Sequence, residues 1–180
     1  TDFAQNVVLE KRIRLSSPPT RDEVLSAIKE TMAEFRAEDP NASILGYGIG
    51  VPGRVHQEKR LGISYPYIED WENIDLATAL DLESEHFYID NNTKTIVLGE
   101  YWLGHTTPPE HIVCVNIRTG ISAAIISSGH LLRGTHEMAG EIRGWTIPKG
   151  TGREWLEDGA TVRAILNNPS LTGWQAYVDS

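Results

Sequence analysis

One succession of patterns limits the folds open to this chain more than any other: an alternating stretch, a capped amphipathic helix and a glycine-rich apolar run. Val7, Leu9, Ile13 and Leu15 alternate with Glu10, Lys11 and Arg12, which is the two-residue period of a strand. After the connector SSPP, Thr20-Arg21-Asp22-Glu23 has the form of a capping box. Its threonine oxygen and Glu23 carboxylate can each satisfy N–H groups at a helix start. Val24, Ile28, Met32 and Phe35 then fall on one stripe, and Asp39-Pro40 ends the helix. The run ILGYGIGV, Ile44–Val51, reads as a buried strand closed by the turn Pro52-Gly53. Strand, helix and strand in that order predict an α/β layer.

Downstream, Arg54–Asp70 reads as loop, with a second helix starting near Asn73-Ile74-Asp75-Leu76. A strand over His86–Ile89 and a helix over Thr93–Leu103 form another unit. Ile112–Ile117 and Ile121–Ser127 flank Arg118-Thr119-Gly120, the pattern of a hairpin with a glycine turn. Arg153–Leu166 is expected to be helical, with Pro169 after its end, and WQAYVDS reads as the start of another helix. Since the chain opens on a strand pattern and stops in a helix pattern, it is expected to be a piece of something longer.

Composition narrows the function classes. A net charge of −9 and a pI near 5.1 argue against non-specific nucleic-acid or membrane-surface binding, because the 16 Lys and Arg are scattered. The one cysteine, Cys114, lies in the apolar run HIVCVNI and reads as a small core residue. A lone thiol excludes an intramolecular disulfide and fits a reducing cytoplasm. No signal peptide and no membrane-length apolar run is present in the 180 residues.

The stretch IDNNTKTIVLGE, Ile89–Glu100, holds the chemical question. A strand delivers Asp90, Asn91 and Asn92 to a helix entry, yet two of the three are amides where a catalyst would want a carboxylate. Taken with GIGVPGRV, WENIDLATAL, VNIRTGISAAIISSGHLLRG and HEMAGEIRG, in that order, it resembles the ROK family of repressors, open reading frames and sugar kinases. The resemblance runs from about Val8 to Asp179. It implies an actin-like, ribonuclease-H-like sugar-kinase fold of two α/β lobes with a sugar between them. The lobes would be 1–102 and 103–180, both partial. Some members of the family phosphorylate hexoses with ATP; others carry an N-terminal winged helix-turn-helix and use the same module to sense a sugar.

Three departures from the family pattern decide between those branches. The family's crossover ends in Asn-Asp-Ala-Asn, which falls here on Asn91, Asn92, Thr93 and Lys94, so its catalytic aspartate becomes Asn92. A positioned base typically supplies about 10²–10⁴-fold in rate, and an amide cannot take the proton, although it still bonds a hydroxyl. Asp90, two residues upstream, is the alternative base, and an ordinary helix entry with Asn92 as N-cap is the plain structural reading. The family's nucleotide-binding hairpin, of Gly-Thr-Gly-Ile-Gly type, is replaced by Arg118-Thr119-Gly120-Ile121-Ser122-Ala123-Ala124. A side chain at such a position keeps backbone N–H groups away from phosphates. The family's zinc site, a His after Gly-Glu-Xaa-Gly and three cysteines, is lost: Gly144 stands at the His position and PKGTGREW has no Cys.

Other matches survive. Glu141 fits the family's sugar-binding Gly-Glu, and Glu157 in WLEDGAT fits its second glutamate. With Asn91 and Asn92 they supply the amides and carboxylates that pyranose recognition uses. Tyr65, Tyr67 and Trp71 could border the sugar or pack in the core. The expectation is a sugar-sensing effector domain without kinase activity, cofactor or metal. It would act on operator DNA through a separate winged-helix domain and assemble as a homodimer or larger oligomer. The alternatives are an ATP-dependent hexose or amino-sugar kinase, and a remnant that binds nothing and serves dimerisation.

Overall fold

The computed structural model describes residues 1–166 other than 3, 5, 84, 105 and 106. Pro169 and the expected helix start at 174–180 lie outside the described residues. The chain divides into two compact units, Thr1–Asn91 and Asn92–Ser180.

In the first unit, helix α1 (Arg21–Glu38) begins where the capping box predicts, with Thr20 in extended conformation and its hydroxyl accepting from Glu23 N–H at 3.2 Å. The Glu23 carboxylate turns to Ser16, accepting from its N–H at 2.7 Å and from its hydroxyl. Strand β1 (Tyr47–Val51) pairs in parallel with β5 (Phe87–Asn91), in the register Tyr47 to Phe87 through Val51 to Asn91. Between them Arg54–Asp70 and the residues after it are not loop. They hold an antiparallel sheet of β2 (Arg54–His56), β3 (Leu61–Ser64) and β4 (Glu72–Asp75), and then a short helix α2 (Leu76–Ala79) capped by Asp75. Strands of three and four residues are too short to show a period, so sequence reading passes over them.

Two further expectations are corrected here. Val7–Leu15 forms no ladder with any described residue. Alternation makes a strand only where a neighbour offers its N–H and C=O groups. Instead Val8, Ile13 and Leu15 line an apolar groove with Val24, Ile28 and Met32 of α1. The run Ile44–Val51 is ordered as strand only from Tyr47 and alternates between half-buried and exposed residues until buried Val51, with Ile44 and Leu45 exposed. Among the described residues β1 pairs only with β5, which leaves it an edge strand rather than a fully covered one.

The core of this unit gathers Val51, Val55, Ile74, Leu76, Leu80, Leu82, Phe87 and Ile89, with the α1 stripe against it. Trp71 belongs to the same cluster at 5% exposure. Of the three aromatic candidates it is therefore a core residue, while Tyr65 and Tyr67 meet edge to face at 5.4 Å between ring centres. Gly62 packs closely beside it: a Cβ there would lie 3.0 Å from the Trp71 indole nitrogen, so the ring would have to give by a few tenths of an ångström.

In the second unit, α3 (Asn92–Leu103) packs on the sheet β6 (Ile112–Ile117), β7 (Ile121–Ser127) and β8 (His130–Leu131). The hairpin has the predicted bounds, with Ile117 opposite Ile121. Val97, Ala124 and Ile126 form its buried core, flanked by Leu98, Tyr101 and Cys114. Burial pushes the Cys114 thiol above its ordinary range, and the Glu100 charge adds to the effect. The expected helix over Arg153–Leu166 is interrupted. Gly152–Trp155 is a strand, β10, paired antiparallel with β9 (Thr146–Lys149), and the helical part is split into α4 (Leu156–Ala160) and α5 (Val162–Leu166). Thr161 makes the break: its backbone is extended and its hydroxyl accepts from Ala164 N–H at 3.3 Å, starting the next turn.

Candidate functional site

Residues at the β5–α3 junction divide their work between structure and presentation. Asp90 is fully buried; it accepts from Asn91 N–H at 2.8 Å and from the Tyr88 hydroxyl at 3.1 Å. Asn91, also buried, donates from Nδ2 to the Gly53 carbonyl at 2.7 Å. That carbonyl is held by a glycine turn with φ of +75°, where a Cβ would collide with the Ser64 carbonyl oxygen. One amide of the predicted pair therefore anchors the Pro52-Gly53 turn to the end of β5, a structural bond that the motif did not announce.

Asn92 opens α3, half-buried, and its Oδ1 accepts from Thr93 N–H at 2.9 Å. This is a bond to the next residue, not the longer reach of an N-cap. Thr93 is fully buried, and its hydroxyl lies 2.6 Å from that of Ser122 on β7. Asn116 Nδ2, on β6, donates to the same Thr93 oxygen at 3.3 Å. Thus side chains pin the first turn of α3 to both strands of the hairpin, and two of them, Thr93 and Ser122, stand where the family resemblance places small residues.

The hairpin is a packed element. Arg118 N–H donates to the Gly120 carbonyl at 2.9 Å, and Arg118 O accepts from Val162 N–H at 3.0 Å. Ala124 is fully buried in the α3–β7 core. Glu157, in the first turn of α4, reaches this turn: its carboxylate lies 3.0 Å from where a Cβ on Gly120 would stand. Glu141 follows Gly140, whose carbonyl accepts from Ala123 N–H at 2.8 Å. Gly140 has φ of +90°, and any side chain there would strike the Ala123 carbonyl. The glycine of the Gly-Glu pair thus exists to let backbone meet backbone, and it ties Glu141 to β7.

Asn92, Glu141 and Glu157 accordingly all lie in the second unit, the first two tied to β7 through Thr93 and Gly140 and the third standing beside the Gly120 turn, whereas Asn91 belongs to the first. Sequence reading missed Lys94. It is 3% exposed in the first turn of α3, a position where the helix dipole disfavours a cation. Its ammonium donates to the Glu137 carbonyl at 3.2 Å and pairs with the Glu137 carboxylate at 3.3 Å, which Arg133 also approaches at 3.4 Å. Thr93 and Ser122 were legible as departures from the family motif, but not as partners of one another. Among the described residues no three His, Cys, Asp or Glu side chains group as a metal site requires, and Gly144 opens onto empty space.

The pattern that defines the ROK family matches residues 1–153. The chain is 27% identical to the xylose repressor of Caldicellulosiruptor bescii over 150 residues, covering 82% of this chain and 37% of the repressor. It is 28% identical to a glucokinase of Thermotoga maritima over 123 residues, 68% of this chain and 38% of that enzyme. The chain therefore spans well under half the length of these relatives. Among solved structures, a ROK family transcriptional regulator homologous to the E. coli MLC protein superposes with a TM-score of 0.71 at 25% identity, over 83% of this chain and 40% of that one. A ROK family glucokinase from Streptomyces griseus, in complex with glucose and AMPPNP, gives the same TM-score of 0.71 at 22% identity, over 92% of this chain and 55% of that one. The fold is thus the mixed α/β, several-sheet fold that these regulators and kinases share.

Proposed function

This chain belongs to the ROK family, and on that premise we propose that it is the sugar-sensing part of a transcriptional regulator, binding a sugar or sugar derivative without phosphorylating it. The observation that carries the reading is Asn92. Where the family's kinases are expected to hold an aspartate, this chain holds an amide whose oxygen is engaged by Thr93 N–H at 2.9 Å. Such a group binds a sugar oxygen but cannot remove a proton from it. The hairpin supports the same reading: a serine hydroxyl bonded to Thr93 and a buried alanine methyl occupy positions where kinases keep glycines. Asp90, the other acid nearby, is buried and accepts from Tyr88 and Asn91, which is the environment of a structural carboxylate.

Asn91, Asn92, Glu141 and Glu157 are the proposed sugar contacts, with no catalytic residue, no metal and no cofactor. A sugar would act by binding one conformational state better than another, and a separate winged-helix domain would read operator DNA. A second reading, an ATP-dependent hexose or amino-sugar kinase, draws on the similarity to glucokinases. Coupled ADP release over a panel of hexoses, pentoses, amino sugars and their phosphates separates the two. The sensor reading expects no turnover and a thermal shift with at least one sugar, roughly 2.7 kcal/mol at a hundred times its Kd. Turnover that disappears on replacing Asn92 or Asp90 would establish the kinase.

A further inference from the structure

Lys94 joins two segments that carry proposed sugar contacts. We propose that it is a positioning residue: by holding Glu137, it sets the loop that presents Glu141 against the helix start that presents Asn92. The inference rests on the sugar-binding reading given above and adds to it the group that fixes the spacing of two contacts.

Asn92 and Lys94 occupy the first turn of α3, two residues apart. Glu141 ends a loop that begins at Arg133 and is closed on itself. Ala139 N–H donates to the Arg133 carbonyl at 2.9 Å, Glu137 N–H to that of Gly134 at 3.2 Å, and Glu141 N–H to that of Met138 at 3.1 Å. The backbone is left-handed at Gly134, Glu137 and Gly140, with φ of +73°, +58° and +90°. Glycine enters this region freely, whereas a glutamate persists there only where surrounding groups hold it. The Lys94 ammonium supplies such a hold, donating to the Glu137 carbonyl at 3.2 Å and to the Glu137 carboxylate at 3.3 Å. Backbone and side chain of one residue are thereby tied to one nitrogen.

The loop has a second anchor at its far end, where the Gly140 carbonyl accepts from Ala123 N–H on β7 at 2.8 Å. Ala123 follows Ser122, whose hydroxyl meets that of Thr93. Glu141 is thus held from two points, and both refer back to the first turn of α3.

Stability alone accounts poorly for Lys94. A buried ammonium loses its hydration, and the first turn of a helix opposes a cation. Attraction to a carboxylate roughly offsets such burial, and an apolar side chain of similar length would fill the space without it. What an apolar side chain could not do is bond the carbonyl and the carboxylate of Glu137 together.

Calorimetric titration of the full chain with D-glucose, D-xylose, N-acetyl-D-glucosamine and D-glucose 6-phosphate tests this, together with hydrogen exchange of the ligand-free chain followed by NMR. Lys94→Met should raise exchange at Ala139 and Glu141 about tenfold and leave the β6–β7 ladder unchanged. For whichever sugar the parent binds, Lys94→Met and Glu141→Gln should each weaken affinity about tenfold. Lys94→Met added to Glu141→Gln should change affinity little further, because the lysine acts through the glutamate. A side chain that merely stabilised the unit would give independent losses. Should Lys94→Met fail to fold, as read by circular dichroism, Lys94→Met with Glu137→Leu, which removes both charges of the pair, takes its place. Loop exchange equal to the parent's, or independent losses of affinity, overturns this inference and leaves the sugar-sensing reading standing. Binding of none of the four sugars by the parent removes both.

Discussion

The hydroxyl oxygens of Thr93 and Ser122 lie 2.6 Å apart, joining the first turn of α3 to strand β7. Thr93 is fully buried, so its hydroxyl depends on this partner and on Asn116. Each residue departs from the small side chain that the family pattern places there, and the two departures complete one another. Thr93→Val and Ser122→Ala should each lower stability by about 1 kcal/mol. The double variant should lose clearly less than the sum, because both remove the same bond. Urea unfolding of the two single variants and the double variant measures this; additive losses would show that the hydroxyls act independently.

Gly140 and Gly134 offer a controlled comparison of backbone strain with steric collision. Both have positive φ, +90° and +73°, but only at Gly140 would a Cβ run into backbone, the Ala123 carbonyl. At Gly134 the nearest atom is 3.4 Å away. Gly134→Ala should cost about 1 kcal/mol, the ordinary penalty for a side chain in the left-handed region. Gly140→Ala should cost about 3 kcal/mol and displace Glu141 with it. Equal losses in chemical denaturation would mean that the Gly140–Ala123 contact yields easily.

Lys94 and Glu137 form a buried ion pair in the second unit, with side-chain exposures of 4% and 15%. Glu137→Gln leaves the Lys94 ammonium, the more deeply buried partner, charged without its carboxylate, so it should destabilise by about 3–5 kcal/mol. Lys94→Met should cost less, since the Glu137 carboxylate keeps Arg133 at 3.4 Å and is nearer solvent. Thermal unfolding at neutral pH distinguishes them. A Lys94→Met variant as stable as the parent would show that the pair serves no structural need.

Acid should loosen the start of α1. The Ser16 hydroxyl, and then the Ser16 N–H, bond the Glu23 carboxylate and hold its pKa below the ordinary value of 4.5. A depressed folded-state pKa contributes stability that is fully present above the unfolded value and lost as pH falls through the folded one. Helix content followed by circular dichroism from pH 7 down to pH 3 should therefore fall at the acid end. Glu23→Gln should flatten that part of the curve. An unchanged acid limb in the variant would place the acid sensitivity elsewhere.

The amino-acid sequence by itself determined whatever depends on neighbours along the chain. Thr20 caps α1 because its oxygen and Glu23 N–H are three residues apart in any such helix. The hairpin over Ile112–Ser127 follows from two apolar runs about a short turn. The replacement of a base by Asn92, and of glycine by Ser122, was equally plain, since it needs only a residue's identity at a matched position. Tertiary structure decided what depends on partners distant in the chain. Val7–Leu15 has a strand's pattern but forms no ladder with any described residue, because a ladder requires a second strand. Asn91 donates to the Gly53 carbonyl 38 residues upstream, Lys94 finds its counter-charge 43 residues downstream, and Thr93 at the start of α3 meets side chains from two other elements, Ser122 and Asn116. A hydrogen bond acts over about 3 Å of space without regard to sequence separation. For that reason the side chains present could be read from the chain, and the way they face could not.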